Sequence, residues 1–156
     1  MKVVTLDLDG EVFAIEAESV REILDPPPIT QVPNAPPFVD GLINVRGRVV
    51  PLADLRVMFG MERRAADAHT RIVVLEIELD EEPTIVGVRA DRVYDVTDIE
   101  PTTIEEAPKV GMRWRADFVR GVGKRGDDFI IVPNLGRIFA TQTGAGAPRP
   151  EEGTGS

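Results

Sequence analysis

Cysteine is absent from this 156-residue chain, and histidine occurs once, at His69. Without thiolates, disulfides, cysteine-held zinc, iron–sulfur clusters and thiol nucleophiles are excluded. A single imidazole leaves neither a Ser–His–Asp triad nor a histidine-rich metal site to be built. Aromatic residues make up 5% of the chain, so a core drawn from its 42% hydrophobic residues must be mostly Val, Ile and Leu. Branched side chains of that kind favour strands. Basic residues are outnumbered 18 to 27, a formal net charge of −9. That balance opposes nucleic acid, whose binding rests on Lys and Arg neutralising phosphates, and disfavours anionic membrane surfaces. No apolar run approaches the ~20 residues of a membrane helix. The start, Met1 to Asp7, reaches an acidic residue too early for a signal peptide. A cytoplasmic protein without membrane insertion is expected.

Glycine and proline are plentiful, 14 and 13 residues, which implies many turns and few long helices. Val4, Leu6 and Leu8 alternate with Thr5 and Asp7 as a strand does. Asp9-Gly10 then separates them from Val12 to Ile15, a hairpin signal, because both turn residues need positive φ. A short helix is expected over Glu18–Leu24, ending before Pro26-Pro27-Pro28. Strands are expected over Ile72–Leu79 and from Ile85 to Val88, with Pro83 punctuating them and Val93 and Val96 continuing the pattern. Thr141 to Ser156, rich in Gly and Pro and poor in apolar side chains, reads as a disordered tail.

Residues 38–59 and 118–139 repeat one another. Phe-Val-x-Gly recurs 80 residues on, followed in each copy by Arg-Gly (Arg46-Gly47, Arg125-Gly126), an apolar run, a proline (Pro51, Pro133) and a segment ending in Phe (Phe59, Phe139). Leu52, Leu55 and Phe59 share a helical face in the first copy, as Leu135, Ile138 and Phe139 do in the second, with Asn134 fit to serve as N-cap. A unit of hairpin, strand and short helix cannot bury its own apolar face, so the copies should pack together as two small barrels related by a pseudo-two-fold.

Catalytic signals are weak. His69 lies in the polar stretch Arg63 to Thr70, where a solvated loop histidine is the plain reading. Gly121 to Gly126 spells G-x-G-x-x-G, but that motif needs a helix N-terminus after the glycines to hold pyrophosphate. Asp127-Asp128 and the apolar run Phe129 to Val132 follow instead, which reads as a hairpin turn. The acidic clusters Asp80-Glu81-Glu82, Glu105-Glu106 and Asp127-Asp128 lack Ca²⁺-loop spacing and fall where turns are expected. Neither a cofactor nor a metal is called for.

The stretch Phe38-Val39-Asp40-Gly41-Leu42-Ile43-Asn44-Val45-Arg46-Gly47-Arg48-Val49-Val50-Pro51-Leu52-Ala53-Asp54-Leu55-Arg56 resembles the signature of CheW-like domains. Phe13-Ala14-Ile15, Val20 to Ile23, Val86-Gly87-Val88 and Phe118 to Phe139 extend the likeness over about residues 1 to 140. The resemblance implies a mainly β fold of two intertwined five-stranded SH3-like β-barrel subdomains with a few short helices. It also implies a non-enzymatic chemotaxis adaptor, recruited to membrane-associated receptor arrays. Its implied partners are the cytoplasmic tip of a methyl-accepting chemotaxis receptor and the regulatory domain of a CheA-type histidine kinase. Matched position by position, receptor contact falls on Val20, Glu22, Gly41, Asn44 and Arg46, with Gly41 permitting close backbone approach. Arg46 pairs with Glu22 across the groove, or else buttresses the barrels by bonding backbone carbonyls. Kinase contact falls on Ile104, Glu105, Lys109 and Val110. Other readings are a scaffold of another two-component or motility circuit, a small β-barrel hydrolase using acidic pairs such as Asp127 and Asp128, and a kinase regulatory domain cut from a longer chain. The start at Met1 favours a free-standing adaptor.

Overall fold

Asp9 and Gly10 take positive φ, 57° and 83°, and turn β1 (Lys2–Leu8) into β2 (Glu11–Glu16) with Leu8 opposite Glu11. The same two-residue device, with both residues at positive φ, joins β4 (Val39–Val45) to β5 (Arg48–Asp54) through Arg46-Gly47. It also joins β6 (Arg71–Leu79) to β7 (Glu82–Ala90) through Asp80-Glu81. The computed structural model describes residues 1–36, 38–100, 118–125 and 128–142. Its remaining elements are β3 (Val20–Leu24), β8 (Arg92–Asp98), β9 (Val119–Arg125), β10 (Asp128–Pro133) and two helices, α1 (Leu55–Met58) and α2 (Leu135–Gln142).

Four expectations need correction. The helix over Glu18–Leu24 is a single 3-10 turn, Ala17–Ser19, leading into β3. Seven residues repay helix nucleation poorly, and β3 instead bonds its backbone to β6, with Leu24 opposite Ile72. Pro83 does not punctuate. It lies inside β7 opposite Glu78, and β7 meets β5 only from Gly87 onward, so the missing N–H faces no ladder. Leu52 belongs to β5 rather than to a helix, and α2 runs to Gln142, two residues into the expected tail.

The strands form two five-stranded sheets, in the orders β8-β1-β2-β10-β9 and β3-β6-β7-β5-β4. Each comprises an antiparallel hairpin (β1–β2 or β6–β7), a strand flanking it, and a second hairpin joined in parallel, β2 to β10 or β7 to β5. The second sheet is continuous in sequence, whereas the first takes its strands from both ends of the chain around it. These are the two intertwined SH3-like units, although among the described residues their ladders do not close into rings. β3 and β4 remain edges of one sheet, β8 and β9 of the other.

Both faces of the sheets carry apolar side chains. Leu6, Leu8, Phe13, Val73, Leu75 and Val88 meet Phe38, Phe59, Phe118 and Phe139 in one core shared by the sheets. Ile43, Val50, Leu52, Ile72 and Val74 fill a smaller core of the second sheet, and Val3, Ala14, Ile130 and Val132 that of the first. A strand with both faces covered reads as a continuous run rather than an alternation, which accounts for Ile72-Val73-Val74-Leu75.

Candidate functional site

The residues matched to receptor contact begin at the turn between β4 and β5. Arg46 stands at φ 52° and Gly47 at φ 82°. The Gly47 N–H donates to Asn44 Oδ1 at 2.8 Å, so the asparagine fixes the turn from below. From there Arg46 reaches β3. Its Nε and Nη2 donate to the two carboxylate oxygens of Glu22 at 2.9 and 3.0 Å, a bidentate pair. The bond to Glu22, reinforced by the carboxylate's charge, raises the Arg46 pKa. Since β3 and β4 are the two edges of this sheet, the pair is a side-chain clasp across a seam that no backbone ladder closes. The Arg46 side chain is 81% exposed and that of Glu22 21%. Arg46 therefore pairs with Glu22 at the surface and is not a buried arginine bonded to carbonyls.

Below the clasp lies a depression of about 480 Å³. Val45, Val50, Val74 and Ile85 line it, and Arg21, Glu22, Arg46, Arg48 and Glu76 stand with them. Arg21 pairs with Glu76. A bulge in β3 aims these side chains. The register slips between Val20, opposite Leu75, and Glu22, opposite Val74. Val20 packs against the shared core, while Glu22 turns to the depression. Arg21, Arg48 and Glu76 were not singled out from the sequence. Glu76 carried a signal, as the only charged residue in the run Ile72 to Ile77.

The structure thus brings Glu22, Asn44 and Arg46 together and leaves Val20 and Gly41 apart from them. At Gly41 the close approach is intramolecular. Thr30 bridges Leu42 with hydrogen bonds of 2.9 and 2.8 Å, and a Cβ on Gly41 (φ 146°) would lie 2.4 Å from the Thr30 carbonyl oxygen. Ile104, Glu105, Lys109 and Val110 lie outside the described residues.

A second depression, about 560 Å³, opens where β2, β6, β9 and the start of α2 meet. Glu16, Glu76, Glu78 and Arg120 are its charged residues, and Arg120 pairs with Glu16.

At the far end of β5, Asp54 and Arg56 anchor a buried ion network. Arg56 bonds Asp91 at 2.6 Å, Asp9 at 3.3 Å and the Glu62 carbonyl at 2.7 Å. Arg63 pairs with Asp40, and among the described residues the Oδ2 atoms of Asp40 and Asp54, both buried, accept no hydrogen bond. Their nearest cations, Arg89 and Arg63, stand 3.6 Å off. Burial, and then the charge of Asp40, push the Asp54 pKa up, against the Arg56 N–H and the two arginines.

The catalytic candidates that fall on described residues stand apart from one another. His69 is exposed, and its backbone N–H donates to Asp67 Oδ1 at 2.8 Å, which with Arg64 and Thr70 holds the Asp67 carboxylate below its usual range. Asp80 and Glu81 form a turn, and Gly121 lies in a strand followed by a strand. Gly126, Asp127 and Glu105-Glu106 lie outside the described residues. Among the described residues no group of three acidic or histidine side chains is placed to hold a metal, and no helix is long and apolar enough to cross a membrane.

Comparison with known proteins gives this geometry a setting. The family model described as a CheW-like domain matches residues 2–143. The chemotaxis protein CheW of Klebsiella aerogenes is 28% identical over 135 residues, covering 86% of this chain and 79% of the relative. That of Rhizobium meliloti is 30% identical over 130 residues, covering 83% and 81%. The crystal structure of the scaffolding protein TtCheW from Thermoanaerobacter tengcongensis superimposes with a TM-score of 0.78 at 31% identity, covering 88% of this chain and 86% of that one. This chain belongs to the CheW-like domain family of chemotaxis scaffolding proteins.

Proposed function

We propose that this protein is a non-enzymatic adaptor that couples the cytoplasmic tip of chemotaxis receptors to a CheA-type histidine kinase. The observation that carries this reading is the Glu22–Arg46 clasp over the depression of the second sheet, where Val45, Val50, Val74 and Ile85 meet charged side chains. An apolar floor with charged side chains at its rim is a usual seat for a helix of a partner. Glu22, Asn44 and Arg46 come together there, and Gly41 supports them by seating residues 29–30 against β4. Kinase contact is assigned to Ile104, Glu105, Lys109 and Val110 on the resemblance alone. Contacts of this sort are modest in area, and an extended array gains its strength from many of them at once.

The test is a binding titration against a receptor-tip fragment and, separately, the regulatory domain of a CheA-type kinase from the same organism. Saturable micromolar binding to both is expected. Arg46→His, checked for fold by circular dichroism, should lose the receptor fragment and keep the kinase domain. Receptor recruitment equal to wild type by a folded Arg46→His protein would remove this assignment of the site.

A further inference from the structure

Arg48 opens β5 directly after the Arg46-Gly47 turn, opposite Val45. Residues directly opposite in an antiparallel pair share a face, so Arg48 stands on the depression side with Val45 and Val50. In this acid-rich chain most of the described arginines are occupied. Arg21 is held by Glu76, Arg46 by Glu22, Arg63 and Arg89 by Asp40, Arg71 by Asp25 and Arg120 by Glu16. Arg48 is exposed and, among the described residues, has neither an ion pair nor a side-chain hydrogen bond.

The surroundings give that vacancy a sign. Three arginines face two glutamates around the depression, a local cationic excess on a molecule of net charge −9. The other depression has the opposite balance, three glutamates to one arginine already paired. With Arg21 and Arg46 neutralised by their own glutamates, Arg48 is the guanidinium left to meet a charge from outside. Strand addition to the β4 edge is blocked where Thr30 already bridges Leu42, so a helix laid over the depression fits better than an extended peptide.

We infer that Arg48 is a specificity-determining residue of the docking site, reading a carboxylate presented by the partner helix beside the apolar contacts. The inference rests on the docking reading above. Rim charges act mainly through association rate and salt dependence, and like charges placed face to face are strongly penalised. The experiment is a titration of the full chain with the receptor-tip fragment at several salt concentrations. Arg48→Glu should weaken binding about tenfold or more. Arg48→Gln should weaken it less and flatten the dependence of Kd on salt, while binding of the kinase domain stays unchanged.

A folded Arg48→Glu protein that binds as wild type, while Arg46→His loses binding, would overturn the role of Arg48 and leave the docking site standing. If neither substitution changes binding, the site itself is wrong and the inference goes with it. An Arg48→Gln salt dependence identical to wild type overturns the charge reading even if Arg48→Glu fails to fold.

Discussion

The ends of the two repeated stretches, 38–59 and 118–139, match to the level of single hydrogen bonds. The Asp54 N–H donates to the Phe38 carbonyl at 2.8 Å, and the Asn134 N–H to the Phe118 carbonyl at the same distance. Each residue then caps the helix that follows. Asp54 Oδ1 accepts from the Arg56 N–H at 2.9 Å, and Asn134 Oδ1 from the Arg137 N–H at 3.0 Å. Beyond the cap the copies part. The first continues Leu55-Arg56 into a buried network that ties the turn at Asp9, the junction at Asp91 and the segment at Glu62 and Arg63 to the end of β5. The second continues Leu135-Gly136. Since an amide serves the cap equally well, the carboxylate of Asp54 is not there for capping. Its charge serves the arginines, at the cost of sitting beside Asp40 in a nearly water-free position.

That comparison is broken most severely at Arg56, which the second copy lacks. Arg56→Met should cost about 3–5 kcal/mol, because the largely buried Asp91 and the Glu62 carbonyl lose their main partner. Urea denaturation measures it, and a loss under 1 kcal/mol would mean that water replaces the guanidinium. Removing the cap from the neutral copy is smaller. Asn134→Ala should cost about 1 kcal/mol, the usual worth of an N-cap, measured in the same way. The smallest effect, and the one that sharpens the comparison, is Asp54→Asn, which gives the first copy the second copy's cap. In wild type the native Asp54 pKa is raised, so the folded state binds more protons than the unfolded state between the unfolded value and the raised one. The contribution of Asp54 to stability is therefore fully present below its unfolded pKa and is lost as pH rises through its native pKa. Asp54→Asn should stay close to wild type in melting temperature at neutral pH and lack that fall. A variant whose stability falls with pH as wild type does would place the titration on another group.

Much of this was legible in the sequence. The Asp9-Gly10 hairpin, the 80-residue repeat and the Asn134 cap follow from local chemistry, because turn residues and caps act over three or four positions. The Glu22–Arg46 pair was one of two readings, and only the folding of β3 toward the turn decided between them. What escaped was non-local. The strand Val20–Leu24 exists because β6 is there to pair with it, and nothing within five residues reveals that. Its bulge separates Val20 from Glu22, which the sequence had placed at one site. The repeat is also wider than its readable part. β1, β2 and β8 correspond to β6, β7 and β3 in the two sheet orders, although their sequences share little beyond branched apolar residues.

The interleaved strand orders also dictate the sequence of events during synthesis. Every strand of the second sheet lies between residues 20 and 90, so that sheet is complete in the growing chain while much of the first is still to be made. The hairpin at the N-terminus must wait. Val4 meets Val96 and Phe13 meets Ile131, contacts more than 90 residues apart that a chain closes slowly. β1 and β2 can pair with each other at once, but their outer edges are covered only later, and until residue 131 is made the second edge of β2 stays without its partner β10.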